Sequence, residues 1–399
     1  MSTHTIPSAA PTTHSSSSST SLASSPSPSS LVERAAQLGP RLAENARRHD
    51  RDGTFVADSY EALRQSGLLR AAVPVEFGGE GATITQVTAL QRELGHHCGA
   101  TALASAMHQH VTVFTAWRYR RGLPGAEATL RKVAEQGLVL LSTGGGDYTH
   151  PNGTAVKVDG GYLLNGHKRF ASQSPVAGAV STMFTYDDPQ NGRRVLNVAV
   201  PFSAEGVAVL PTWDALGMRG TGSDDLLFDD VFVPDAQVLA NRPYGVVDGP
   251  LQVISSIAFT IISGAYLGVA EAAYTAALTT ARNRPDDVLL QRQLGLMEHK
   301  LKVASWALDG ALAVVGDDPT PDVDTTLAVM TAKREISTAG IEVCDLAMEV
   351  AGGSSYFTGG VLERCYRDIR AAKFHPFTPE DTLIQSGKRA LGLPGLFMQ

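Results

Sequence analysis

Two strand-like segments dense in turn residues stand in the middle of this chain, with helix-patterned sequence on both sides. They read Gly161-Tyr-Leu-Leu-Asn-Gly-His-Lys-Arg-Phe-Ala-Ser-Gln-Ser174 and Gly217-Met-Arg-Gly-Thr-Gly-Ser-Asp-Asp-Leu-Leu-Phe-Asp-Asp-Val-Phe-Val-Pro234. Short apolar runs recur around them: Leu138-Val-Leu-Leu-Ser-Thr143, Ala155-Val-Lys-Val-Asp before a Gly160-Gly161 hairpin dipeptide, Val195-Leu-Asn-Val-Ala-Val-Pro and Gly206-Val-Ala-Val-Leu-Pro. Strands spaced about ten residues apart predict a small antiparallel sandwich or barrel over 138–240.

Both flanks change period. Leu31, Ala35, Leu38 and Leu42 recur at helical spacing, and Tyr60-Glu-Ala-Leu-Arg-Gln-Ser-Gly67 ends on a glycine suited to a helix C-cap. A glycine-dense loop, Val73-Pro-Val-Glu-Phe-Gly-Gly-Glu-Gly81, leads to a helix opening at Thr83 or Thr85. Beyond Gly249, long periodic stretches cover 251–282, 287–316 and 325–351, with Pro319-Thr-Pro-Asp322 breaking the last two apart. The predicted fold class is therefore α+β and multidomain. A tail (1–30) precedes an N-terminal helical domain (31–137), the β-domain (138–240) and a C-terminal four-helix bundle (241–399).

Composition narrows the function classes. A net charge of −7 without a basic stripe argues against nucleic acid as a partner, and Arg118-Tyr-Arg-Arg121 reads as a solvated helix face. Cys98, Cys344 and Cys365 are too few and scattered for a disulfide framework or zinc site; each reads as a small apolar side chain in a reducing cytoplasm. His96, His97, His108 and His110 fall within fifteen residues, but no spacing puts three of them with a carboxylate on one face, so no metal is expected. Residues 1–30 are mostly Ser, Thr, Pro and Ala, a composition that predicts disorder; they lack the arginines of a transit peptide and the apolar core of a secretory signal. Leu251 to Ala270 has no charge over 20 residues, yet its Gln252, Ser255, Ser256, Thr260 and Ser263 fit the centre of a bundle better than a membrane span.

The two central motifs, Gly352-Gly353 after a long helix, and the Arg367-Asp368 pair occur in an order and spacing that resemble the acyl-CoA dehydrogenase superfamily of flavoproteins, over residues 31–395. The resemblance implies FAD as cofactor, with Thr143 near the pyrimidine edge of the flavin, Phe170 against the ring and Ser172 near N5. It implies that Arg282 and Gln293 reach the FAD of a neighbouring subunit, with Gly352, Gly353 and Thr378 in the same region. That arrangement implies a homo-oligomer, typically a tetramer. Glu349 and Glu380 stand where the family commonly has glutamines. A carboxylate beside a diphosphate is unfavourable, so ribose or adenine contact is expected of them.

The resemblance breaks at the catalytic base. A thioester dehydrogenase removes an α-proton with a carboxylate while a hydride leaves the β-carbon. Counting eight residues from Asp368 puts Pro376 at the usual glutamate position, between His375 and Phe377. The alternative base position on the long helix, aligned on Gly268, is Ala258, beside Phe259. Three activities stay open: dehydrogenation of an acyl thioester with His375 as a displaced base and a separate electron acceptor; oxygenation by a two-component flavin monooxygenase fed by a flavin reductase, which needs no such base; or ligand binding without catalysis. Dehydrogenation leads, because most of the scaffold matches it.

Overall fold

The structure, a computed structural model, describes residues 30–397. The expectation for the tail thus lies outside the described residues, except for Ser30. Five helices come first: α1 (Leu31–Asp52), α2 (Ala57–Gln65), α3 (Ile84–His97), α4 (Gly99–Arg120) and α5 (Ala126–Gln136). Eight strands follow: β1 (Leu140–Ser142), β2 (Thr154–Val158), β3 (Gly161–Ala171), β4 (Ala179–Asp188), β5 (Gly192–Pro201), β6 (Val207–Leu210), β7 (Asp224–Pro234) and β8 (Val238–Pro243). The chain closes with α6 (Gly249–Ala281), α7 (Val288–Val315), α8 (Val323–Ala351), α9 (Val361–Asp368) and α10 (Pro379–Ala390).

Local chemistry sets the helix starts. Ser30 and Glu33 form a capping box on α1, and Thr83 and Gln86 form one on α3, so Thr83 is the cap and Ile84 the first helical residue. The Asp side chains at 248, 287 and 322 cap α6, α7 and α8. Arg120 and Arg121 are less free than a solvated face implies: both pair with Asp318.

The β-domain is one eight-stranded sheet in the order β6-β7-β3-β2-β4-β5-β8, with β1 paired to β4. It is largely antiparallel but not wholly so, because β1 and β2 both run parallel to β4. The two central motifs pair with each other: Gly161 faces Pro234 and Ala171 faces Asp224. Their turn-rich ends at 170–174 and 217–223 therefore meet at one end of the sheet. Phe184 on β4 and Phe228 on β7 touch at 5.2 Å, although β2 and β3 separate their strands, so the sheet curls around a shared core.

Helix α6 is buried on nearly all sides, as an uncharged bundle helix requires, although by length and composition alone it would suffice to cross a membrane. It joins the two helical regions through small residues. A Cβ on Gly268 would lie 2.0 Å from Arg92 O, one on Gly264 2.6 Å from Thr88 O, and one on Gly95 2.3 Å from Ala265 O. The backbones of α3 and α6 thus approach with no side chain between them. Arg92 on α3 also pairs with Glu271 on α6. Gly268→Ala is expected to lower stability by about 1–3 kcal/mol through overpacking against the α3 backbone, read as a lower midpoint in chemical denaturation. An unchanged midpoint would mean that this crossing is looser than the structure shows.

Candidate functional site

The strand ends where the motifs meet carry a chain of hydroxyls. Ser172 Oγ lies 2.8 Å from Ser223 Oγ, which lies 2.7 Å from Thr221 Oγ1; Thr221 donates to Met218 O at 2.9 Å. Three non-glycine residues here, Phe170, Gln173 and Met218, have left-handed backbone (φ 60°, 66° and 52°), which costs energy and clusters at functional sites. Buried Gln173 locks the loop. Its amide donates to Leu140 O, its carbonyl accepts from Tyr60 OH and its backbone N–H bonds Thr221 O. Asp368 in turn accepts from Met218 N–H. Burial pushes the Asp368 carboxyl up to about 6.

Thr143 follows β1 and is buried. Its hydroxyl lies 2.7 Å from Thr182 Oγ1 and 3.3 Å from Asp147 Oδ2. Behind it Lys168 is fully enclosed, pairing with Asp147 at 2.9 Å and bonding Asn152 O and Met183 O. Burial drives the Lys168 ammonium below its usual range, while Asp147 acts to raise it. On the next strand position, Ser142 Oγ meets His110 Nε2 at 2.8 Å.

Opposite stands the turn after α9. His375 Nε2 lies 2.8 Å from Tyr266 OH on α6. Burial, then the Lys333 charge, then His110 push the His375 imidazole down to about 3. His108 and His110 fall to about 4, again chiefly through burial. Each is hydrogen-bonded, His108 between Leu69 O and Leu140 N and His110 between Ala106 O and Ser142. Rings of Tyr148, Phe259 and Phe377 pack at 6.1–6.4 Å from one another. Ala258 is buried, and Pro376 carries no titratable group. Both positions expected of a base are thus apolar in place.

The remaining sequence candidates lie in two places: Arg282, Gln293, Glu349, Gly352 and Gly353 at or near the ends of α6, α7 and α8, and Thr378 and Glu380 at the start of α10, directly after the His375–Phe377 turn. Arg282 is exposed at the end of α6. Gln293 Nε2 on α7 donates to Glu349 on α8 at 3.0 Å. Gly352 and Gly353 are exposed, and a Cβ on either would meet nothing within 4 Å. Thr378 caps α10 through Asp381, and Glu380 is exposed on its first turn. Reading the sequence alone singled out none of Tyr266, Lys333, Gln173, Thr221 or Ser223 as site residues. Gln173, Thr221 and Ser223 stood inside the quoted motifs; Tyr266 and Lys333 carry no local signal, since only packing brings them to the site.

These residues fit a flavin ring. Phe170 holds a large apolar ring 67% exposed on strained backbone. Two residues on, the Ser172 hydroxyl can meet a polar ring edge, and the buried Thr143 hydroxyl after β1 is a second candidate partner.

Comparison with known proteins agrees. The acyl-CoA dehydrogenase N-terminal, middle and C-terminal domain models match residues 36–122, 142–231 and 260–380. The chain belongs to the acyl-CoA dehydrogenase family, and it is a flavin-dependent oxidoreductase by kinship. It is similar to the amino sugar nitrososynthase DnmZ of Streptomyces peucetius (31% identity, 88% of this chain and 91% of that one). It is also similar to the putative acyl-CoA dehydrogenase YdbM of Bacillus subtilis (27%, 86% and 92%). Among solved structures it is similar to KijD3 in complex with FMN and dTDP-3-amino-2,3,6-trideoxy-4-keto-3-methyl-D-glucose (27% identity, TM-score 0.79, 92% and 94%).

Burial makes a testable statement about protons. The ring signals of His108, His110 and His375 are expected to stay flat from pH 5 to 8 in an NMR titration, since all three are pushed well below the ordinary histidine value of 6.5. Because these values lie below those of the unfolded chain, the stability they contribute is present above about pH 6.5 and is lost as pH falls toward 4. A His375 signal that titrates near pH 6.5 would contradict the enclosure described here.

Proposed function

We propose that this protein is a two-component flavin monooxygenase that uses reduced FMN from a separate reductase, and O2, to oxidise the nitrogen of a small-molecule amine. The observation that carries the reading is the loss of any carboxylate at both base positions, Pro376 and Ala258, in an otherwise intact scaffold. The titratable neighbour left there, half-buried His375, already shares its Nε2 with Tyr266 OH at 2.8 Å, and its imidazole is pushed well below its usual range, which makes it a poor acceptor for an α-proton. Heteroatom oxygenation needs no such acceptor. One oxygen atom enters the N–H bond, the other leaves as water, and the reduced cofactor supplies the two electrons. The names of DnmZ and of the ligands bound to KijD3 support an amine substrate and FMN.

The FMN bound to KijD3 favours FMN over FAD as the cofactor. In this reading Thr143, Phe170 and Ser172 hold the flavin ring. His375 and Tyr266 are neutral hydrogen-bonding groups facing substrate and oxygen. Arg282, Gly352, Gly353 and Thr378 border the cofactor's phosphate or a second subunit of a homo-oligomer.

With NADH, a flavin reductase and FMN, oxygen uptake should rise on adding amines, including amino sugar nucleotides, and hydroxylamine or nitroso products should accumulate. Anaerobic titration with an acyl-CoA panel should leave bound flavin oxidised. Bleaching by an acyl-CoA would sink the proposal and restore thioester dehydrogenation. His375→Gln is expected to cut coupled product formation at least tenfold while flavin binding is kept; an unchanged yield would remove His375 from the site.

A further inference from the structure

Lys333, on α8, is a buried cation whose side chain reaches no carboxylate within ion-pair distance among the described residues; it is 4% exposed. Its Nζ donates to His375 O at 3.0 Å and to Phe377 O at 2.8 Å, and it sits 5.8 Å from the Phe259 ring centroid. It therefore bonds the backbone on both sides of Pro376, within the turn that carries the His375 imidazole and the Phe377 ring. A buried ammonium is costly to keep, and two buried carbonyls left without a donor are costly as well.

We propose that Lys333 is a positioning residue of the site: its side-chain nitrogen, which can donate to both carbonyls whether charged or neutral, anchors the His375–Phe377 turn and so holds His375 against Tyr266 and Phe377 against Phe259. The inference rests on the proposed function only in that this turn faces the substrate. Lys333 touches no reacting atom itself. The groups that bear on it are Asp381 from α10 and His375 from the turn, with Tyr266 from α6 and His110 from α4 beyond His375.

Burial lowers the Lys333 ammonium from 10.5 to about 8, with Asp381 opposing. If the turn opens only when Lys333 is exposed, the open form binds the proton more tightly than the closed one. Raising the pH then favours the closed turn.

The test is hydrogen exchange by mass spectrometry on the full-length protein, following the peptide spanning 371–382. Phe374, Thr378, Asp381 and Thr382 amides are hydrogen-bonded there. After correction for intrinsic rates, protection in the unaltered protein should rise at least tenfold between pH 7 and 9.5, while α6 and α8 peptides show no such change. In Lys333→Met, protection at pH 7 should fall about tenfold, and a His375 ring titration should emerge above pH 4. Protection that does not rise with pH in the unaltered protein would overturn the anchor, and this arm stands even if the variant does not fold. A Lys333→Met protein with an equally protected turn and a silent His375 would overturn it too. Exchange is read without cofactor or substrate, so failure of the oxygenation reading would leave this result intact.

Discussion

The close approach of α3 and α6 is the constraint on which the rest depends. At Gly95, Gly264 and Gly268 the two backbones meet at distances no Cβ could share. This crossing fixes the N-terminal helices on the C-terminal bundle, and with them His110 on α4 and Tyr266 on α6. The β-domain is tied to both: Gln173 bonds Tyr60, Leu140 and Thr221, and Asp368 accepts from Met218 N–H. A site assembled from so many elements can be held only by close packing, because hydrogen bonds lose their geometry with shifts of a few tenths of an ångström.

Within that frame, the proposed oxygenation would need few changes from a dehydrogenase scaffold. A carboxylate in a dry site works as a base because burial raises its pKa. The same burial acts oppositely on an imidazole and takes His375 down to about 3. Pro376 and Ala258 at the base positions thus leave no carboxylate there to take an α-proton, and only a weakly basic imidazole beside them. Lys333 strengthens this bias, because its charge disfavours a second cation on His375.

Much of the fold was legible in the sequence. The period changes at 138 and 249 mark the passage from helices to sheet and back, and the long helices fall within two residues of their expected limits. The parallel pairings of β1 and β2 with β4 were not legible, because strand order depends on contacts between distant segments. The site was legible in part. Phe170 and Ser172 lie where the motifs meet and Thr143 follows β1, whereas Arg282, Gln293, Glu349 and the glycine pair lie at or near the ends of α6, α7 and α8. Lys333 and Tyr266 stayed hidden: a lysine and a tyrosine inside apolar helices announce nothing until the fold shows what they touch. His110 was visible, but only as one of four clustered histidines whose spacing excluded a metal.

The central claim is that oxygen, not a removed hydride, is what this scaffold delivers to its substrate. The most direct measurement supplies oxygen-18 gas with reductase, NADH, FMN and an amine, and weighs the product by mass spectrometry. The account predicts heavy oxygen in the oxidised nitrogen group from labelled gas and none from labelled water. An oxidised product that carries no label from the gas would contradict it.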